Sequence, residues 1–519
     1  MGSQNSAKKA GFLQPASKSR MVFIAFITCL AGTALYMLDS FLYRHDFASN
    51  TLLYLGEKAL LVHDGVPPRL ENMGLSPPLP LSIILLLENP FVAAALTGGF
   101  AAIMTLLSLY RKYRQHRIGF AMLAMLFCYV LLSPVSLFLL CQQPDTCILL
   151  AFMLLMYHHY YMYGRHDNTY NLFMFGMLTA FLVLTRWQAI LLVPLFSLVL
   201  AARMFRDYPA KAMAVSLTSL FPSAVLAISL GYLTWVFLGD PFYFLSHWSN
   251  AAGIKSVLPE YMLNADSVIN GLNLALLMCV NNVFLILPYV FMGLWLLVSW
   301  RKIDRWLVLV IYLSPLFLLC IQFTTSFPET NLNFLLIFVA TAVFIYIYCR
   351  KYLLARPFPE LFVITILLSF TASFYLPMSS SQGSEEREFC QILTGQKLEG
   401  MLAPYRSAFA LMDPRGKILT DDAVNFPIVY MARDPKRFIL PYQYEFEMVL
   451  AAPQNFARYL LVSDRREKDR LAGRYPMATV GYVPHFIPIG HFENLYLYES
   501  EQQNRQDQHA KADCLSVIP

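Results

Sequence analysis

The sequence predicts an all-α polytopic membrane domain of about eleven transmembrane helices, followed by a small C-terminal α/β domain outside the cytoplasm. Three observations predict it. Hydrophobic residues make up 57% of the 519 residues and charged residues only 14%, against roughly a quarter charged in soluble domains. The apolar residues gather in runs near spanning length. From about Met378 those runs stop and the composition turns polar.

A spanning helix needs about 20 mostly apolar residues. Residues 1–20 form a basic tail, and residues 21–377 hold the runs Met21–Leu38, Phe91–Leu109, Ile118–Leu140, Ile148–Tyr163, Leu172–Leu184, Ala189–Ala202, Ala212–Phe237, Val283–Trp300, Trp306–Phe323, Phe334–Tyr348 and Leu361–Tyr375. Leu172–Leu184 and Ala189–Ala202 are short and separated by Arg186, so they read as a hairpin or as one broken element. Basic residues decide between these. Lys8, Lys9, Lys18 and Arg20 precede the first span, and clusters at Arg111–Arg117, Arg165, Arg203–Lys211, Arg301–Arg305 and Arg350–Arg356 follow every second span, as the positive-inside rule requires. Only the hairpin keeps this alternation. It places the N-terminus in the cytoplasm and the C-terminal domain outside. A cleaved signal peptide at Met21–Leu38 lacks the small-residue cleavage site that should follow it.

The net charge of +6 is mostly this cytoplasmic Lys and Arg at helix ends, so it gives no argument for nucleic-acid binding. The nine cysteines show no metal-ligand spacing. Cys141 with Cys147, and Cys390 with Cys514, lie outside the cytoplasm, where each pair is either a disulfide or two free thiols. The chain has no Asn-x-Ser/Thr sequon, which points to a bacterial inner membrane rather than the endoplasmic reticulum.

The outer loops carry the unusual residues. The first, residues 39–88, is far longer than a connection needs. Within it Asn50–Val62 has the period of an amphipathic helix at the membrane interface, with Glu57 and Lys58 on its polar side. Asp46 stands just beyond the first span, where the alternative is a solvated loop acid. The second loop is only Cys141–Cys147 and holds Asp145, an expensive acid between apolar runs unless it is paired, metal-bound or facing a polar cavity. Its alternative is the N-cap of the fourth span. Arg186, in LTRWQAILLVP, either holds an anion such as a lipid phosphate or snorkels to the headgroups. The loop Gly239–Ser267 holds His247, Lys255 and Tyr261 and is long enough to shape a pocket.

Taken in order, these features resemble the GT-C superfamily of lipid-dependent glycosyltransferases, in particular the bacterial branch akin to aminoarabinose transferases and protein O-mannosyltransferases. The features are Asp46 after the first span, an interfacial helix, the turn Gly65–Pro68 with its G-x-P-P pattern and the PPLP stretch Pro77–Pro80. They continue with QPDTCILLAFMLLMY at the fourth span, LTRW at Leu184–Trp187 and a DPFYFL-type loop. Two positions depart from the family. Asp46 is followed by Phe47 rather than by a second acid, and FPETNLNFLLIF offers Glu329 and Asn331 where a basic residue is frequent.

The resemblance implies an inverting transfer of a sugar from a polyprenyl phosphate to an acceptor hydroxyl on a lipid, a polysaccharide or a protein. The acceptor needs a base and the leaving phosphate needs cations or a metal. Asp46 is then the base and Asp145 its helper, with a divalent metal ion on Asp46 and Asp145 as the alternative role. Arg186 and Lys58 are candidates for the donor phosphate, followed by Arg69 and His63. His247, Lys255 and Tyr261 belong to the acceptor or pocket loop.

Residues 378–498 read as the outer α/β domain. It opens on a polar linker, SSSQGSEERE, with strands at Lys417–Thr420, Ala457–Val462, Thr479–His485 and Leu495–Tyr498 and helices at Tyr405–Met412 and Tyr444–Leu450. Asp421 and Asp422, after a strand, suit a ligand site or a turn and helix cap, and the cap is preferred. Residues 499–519 read as a disordered tail. Two rival functions remain. A polymerase of lipid-linked oligosaccharides usually lacks such a domain. A transporter or flippase suits an internal repeat and midplane charges, and the sequence shows neither.

Overall fold

The computed structural model describes residues 18–66, 77–205, 208–239, 268–298, 305–325, 332–349, 358–379, 383–464 and 469–502. The membrane part runs α1 (Lys18–Arg44), α2 (Asn50–Asp64), α3 (Pro78–Leu87), α4 (Pro90–Arg114), α5 (Phe120–Leu132), α6 (Pro134–Gln142), α7 (Pro144–His166) and α8 (Thr169–Thr185). It continues α9 (Leu192–Phe205), α10 (Pro209–Leu238), α11 (Val268–Asn281), α12 (Leu287–Val298), α13 (Arg305–Thr325), α14 (Leu336–Cys349) and α15 (Phe358–Ser379). The chain is an integral membrane protein.

Each of the eleven predicted runs contains a helix, but the helices differ in length and apolarity. Among the described residues six helices are long and apolar enough to span a membrane, or seven if α5 and α6 are one span bent by 54°. That bend follows from Pro134. The residue before a proline is pushed out of the helical region, and Ser133 sits at φ −65°, ψ 125°, where its hydroxyl caps α6. The Arg186 hairpin is observed. α8 ends at Thr185, Arg186 is extended, a 3-10 turn covers Trp187–Leu191, and α9 follows. α8 and α9 both pack on α10, where Thr179 meets Ser223 and Ser197 meets Ser219 through hydroxyl hydrogen bonds.

Two helices depart from the expectation. Val283–Trp300 begins as a helix only at Leu287, and α11 precedes it. The asparagines of VINGLNLALLMCVN interrupt the apolar run and hide this helix from a hydropathy reading. α3 is a short apolar helix within the first loop. Among the close contacts, α4 crosses α1 where Gly99 faces Gly32, and a Cβ on Gly99 would stand 2.8 Å from the Gly32 nitrogen.

The stretch read as a polar linker is instead largely a helix, α16 (Ser384–Leu393), because Phe389, Cys390 and Ile392 recur on one face and are buried. The C-terminal domain continues with α17 (Ala403–Ala410), β1 (Ile418–Leu419), α18 (Asp422–Ala432), β2 (Phe438–Ile439), α19 (Phe446–Ala451), β3 (Tyr459–Ser463), α20 (Arg470–Arg474), β4 (Phe486–Phe492) and β5 (Leu495–Ser500). The sheet order is β2-β1-β3-β5-β4, parallel from β2 to β3 and antiparallel from β3 to β4. The strand expected at Thr479–His485 does not form: a 3-10 turn over Pro476–Val480 takes its first residues, and β4 starts only at Phe486. Pro476 opens the turn, Gly481 at φ 94° ends it, and His485 at φ 66° breaks extension. Of the expected tail, Glu499 and Ser500 belong to β5, and residues 503–519 lie outside the described residues. Cys141, Cys147 and Cys390 are free thiols, and Cys514 lies outside the described residues.

The domain docks on α2. Leu61 of α2 joins the apolar core beneath the sheet with Ile428, Val429 and Phe438. Leu52, Leu53 and Tyr54 pack with Phe426 and Tyr430 of α18. Gly56 permits this approach, since a Cβ there would meet the Tyr430 ring at 2.9 Å.

Candidate active site at the first loop

Asp46 sits in the turn that ends α1. The Phe47 amide donates back to the Leu42 carbonyl, and Asp46 takes φ 59°, a left-handed conformation that aspartate tolerates better than most residues. Phe47 explains the missing second acid. It is fully buried, with ring centroids 6.5 Å from Phe138 of α6 and 6.2 Å from Phe389 of α16. Phe47 plugs the turn into the core. The Asp46 carboxylate is mostly enclosed, and its Oδ1 lies 2.7 Å from Nη2 of Arg406 on α17. The contact is an ion pair without hydrogen-bond alignment. Burial pushes the Asp46 carboxyl above the ordinary aspartate range. Arg406 pulls it down, Glu399 raises it and His45 lowers it, with a net upward shift.

Asp145 and Arg186 come together, as the paired-acid reading requires. α7 starts at Pro144, so Asp145 lies inside its first turn and is not its N-cap. Its Oδ2 accepts from Arg186 Nη2 at 2.8 Å, and the Thr146 hydroxyl accepts from the same nitrogen at 2.8 Å. The Arg186 guanidinium stands 5.4 Å from the centroid of the Phe334 ring. Arg186 is therefore held in protein contacts and does not snorkel.

Lys58 is bound elsewhere. Its Nζ lies 2.6 Å from Asp422 Oδ2 and 3.2 Å from Glu57 Oε2, in a buried triad between α2 and α18. Burial raises the Glu57 carboxyl, Lys58 lowers it and Asp422 raises it, to about 8. Burial pulls the Lys58 ammonium down, but the two carboxylates outweigh it and carry it up. Lys58 here docks the C-terminal domain, and its charge is already matched. His63 is exposed near the end of α2. Arg69, His247, Lys255 and Tyr261 lie outside the described residues. Among the described residues no group of three or more His, Cys, Asp or Glu side chains could hold a metal ion.

A polar network the sequence did not reveal ties these segments together. Ser49 caps α2, its hydroxyl donates to the Gln142 carbonyl at 2.6 Å, and its amide donates to Gln142 Oε1 at 2.8 Å. Gln142 Nε2 donates to Asp39 Oδ1 at 2.7 Å. Glu385 of α16 accepts from the Asn50 amide at 3.0 Å and from Gln143 Nε2 at 3.3 Å. The turn bearing Asp46, the turn before Asp145 and the start of the C-terminal domain are thus one hydrogen-bonded unit. The only sequence signals were two glutamines in CQQPD and the acids of SEERE. Asp421 is the N-cap of α18, accepting from Ala423 N at 3.0 Å, as preferred.

No family profile and no curated protein sequence matches the chain. Among solved structures, the crystal structure of ArnT from Cupriavidus metallidurans bound to undecaprenyl phosphate matches with a TM-score of 0.51, over 93% of this chain and 98% of that one, at 13% identity. This chain has the ArnT fold. The ArnT likeness spans the membrane helices and the C-terminal domain together, and the architecture expected above, a polytopic helical part followed by a small α/β domain, is the one observed.

Proposed function

We propose that the chain is a membrane glycosyltransferase that moves a sugar from a polyprenyl-phosphate donor to an acceptor hydroxyl on the outer face of a bacterial inner membrane, with inversion. The observation that carries this is the Asp46 carboxylate, enclosed on a fixed turn just beyond α1, in a fold shared with a protein whose solved structure holds undecaprenyl phosphate.

Asp46 takes the proton of the acceptor hydroxyl as its oxygen bonds to the anomeric carbon. The bond from that carbon to the phosphate oxygen breaks, and the leaving phosphate keeps the electron pair. Arg186 meets the phosphate charge, held in place by Asp145 and Thr146. Asp145 thus acts through Arg186. The acceptor is a lipid, a polysaccharide or a protein.

The test is the lipid pool. Cells deprived of this chain should accumulate one polyprenyl-phosphate sugar, detectable by mass spectrometry of the lipid extract, and lose one outer-face modification. An unchanged lipid-linked pool would refute the proposal.

A further inference from the structure

The C-terminal domain is built against the turn that carries Asp46. The Leu398 carbonyl lies 3.3 Å from His45 Nδ1. The Gly400 amide donates to the His45 carbonyl and the Leu402 amide to the Asp46 carbonyl, both at 2.8 Å. Gly400 leaves no room for a Cβ against that carbonyl, so only glycine allows the approach. Arg406, on α17, then reaches Asp46 Oδ1 at 2.7 Å with its own side chain half exposed. These backbone bonds, the Lys58–Asp422 pair and the shared apolar core already dock the domain. Arg406 adds a charge where docking does not call for one.

We propose that Arg406 is a positioning residue of the transfer site, supplied by the C-terminal domain, that offsets and orients the Asp46 carboxylate while the donor phosphate is bound. This rests on Asp46 being the base. A carboxylate and a lipid phosphate in one poorly solvated site repel each other, and a guanidinium against the carboxylate relieves that repulsion. The membrane helices alone then do not complete the site.

The test is a double-mutant cycle on binding of undecaprenyl phosphate to the full-length protein in lipid nanodiscs. Arg406→Met should weaken binding about tenfold, because the Asp46 charge is left unbalanced. Arg406→Lys should stay near wild type. Adding Asp46→Asn to Arg406→Met should restore binding to within about twofold, because the repelling charge is gone. A merely structural role for Arg406 would not be rescued this way. Thermal unfolding checks that each variant folds, with Arg406→Gln as the second choice. Wild-type affinity in both Arg406→Met and Arg406→Gln, or no rescue by Asp46→Asn, overturns the inference alone. A wild-type protein that binds no undecaprenyl phosphate overturns the donor assignment with it.

Discussion

Asp46 and Phe47 divide one turn between chemistry and packing. Phe47 anchors the turn between two aromatic rings, so Phe47→Ala should cost roughly 3–5 kcal/mol of stability, read by thermal unfolding in detergent. The raised Asp46 carboxyl has a kinetic consequence. A base must be ionised, so transfer should fall away in acid with a midpoint above the ordinary aspartate value of 3.8. A pH–rate profile with its acid limb at or below that value would contradict this. Arg186 makes a separable contribution. Arg186→Gln should weaken undecaprenyl phosphate binding by roughly tenfold or more, since charge-assisted contacts to phosphate are among the stronger ones.

At the scale of elements, α2 is where the membrane part and the C-terminal domain meet, and its buried triad makes that junction sensitive to pH. Glu57 has a folded pKa raised from 4.5 to about 8. Its neutral form favours the folded state, so this contribution is fully present below about pH 4.5 and lost as pH rises through about 8. The unfolding temperature should therefore decline between these values, and Glu57→Gln should flatten the decline. An unaltered slope in that variant would place the dependence elsewhere.

The helices themselves were legible where their chemistry is local. Long apolar runs mark the spans and Arg186 marks the hairpin, whereas the bend at Pro134 lay unread inside the single run Ile118–Leu140. α11 was not legible, because its asparagines break the run, and α16 was masked by the acids of SEERE, which turn out to be buried partners. The site was legible only in its parts. Asp46, Asp145 and Arg186 stand out as charges among apolar residues. Their partners do not, because pairing is set by the fold: Arg186 and Asp145 are 41 positions apart, and Lys58 and Asp422 are 364 apart.

At the scale of the whole molecule, the C-terminal domain and the first loop form one layer over the helices. Arg406 meets Asp46, Asp422 meets Lys58 and Glu385 meets the backbone of Asn50, so two charges and one amide of the first loop are matched from the C-terminal side. That layer, and not any single helix, holds the carboxylate to which the chemistry is assigned. The most direct measurement is the polyprenyl-phosphate sugar pool in cells lacking the native chain and supplied with Asp46→Asn at the wild-type membrane level. The pool should remain as high as with no protein at all, while wild type drains it. Drainage by Asp46→Asn at the wild-type rate would contradict the assignment of Asp46 as the base.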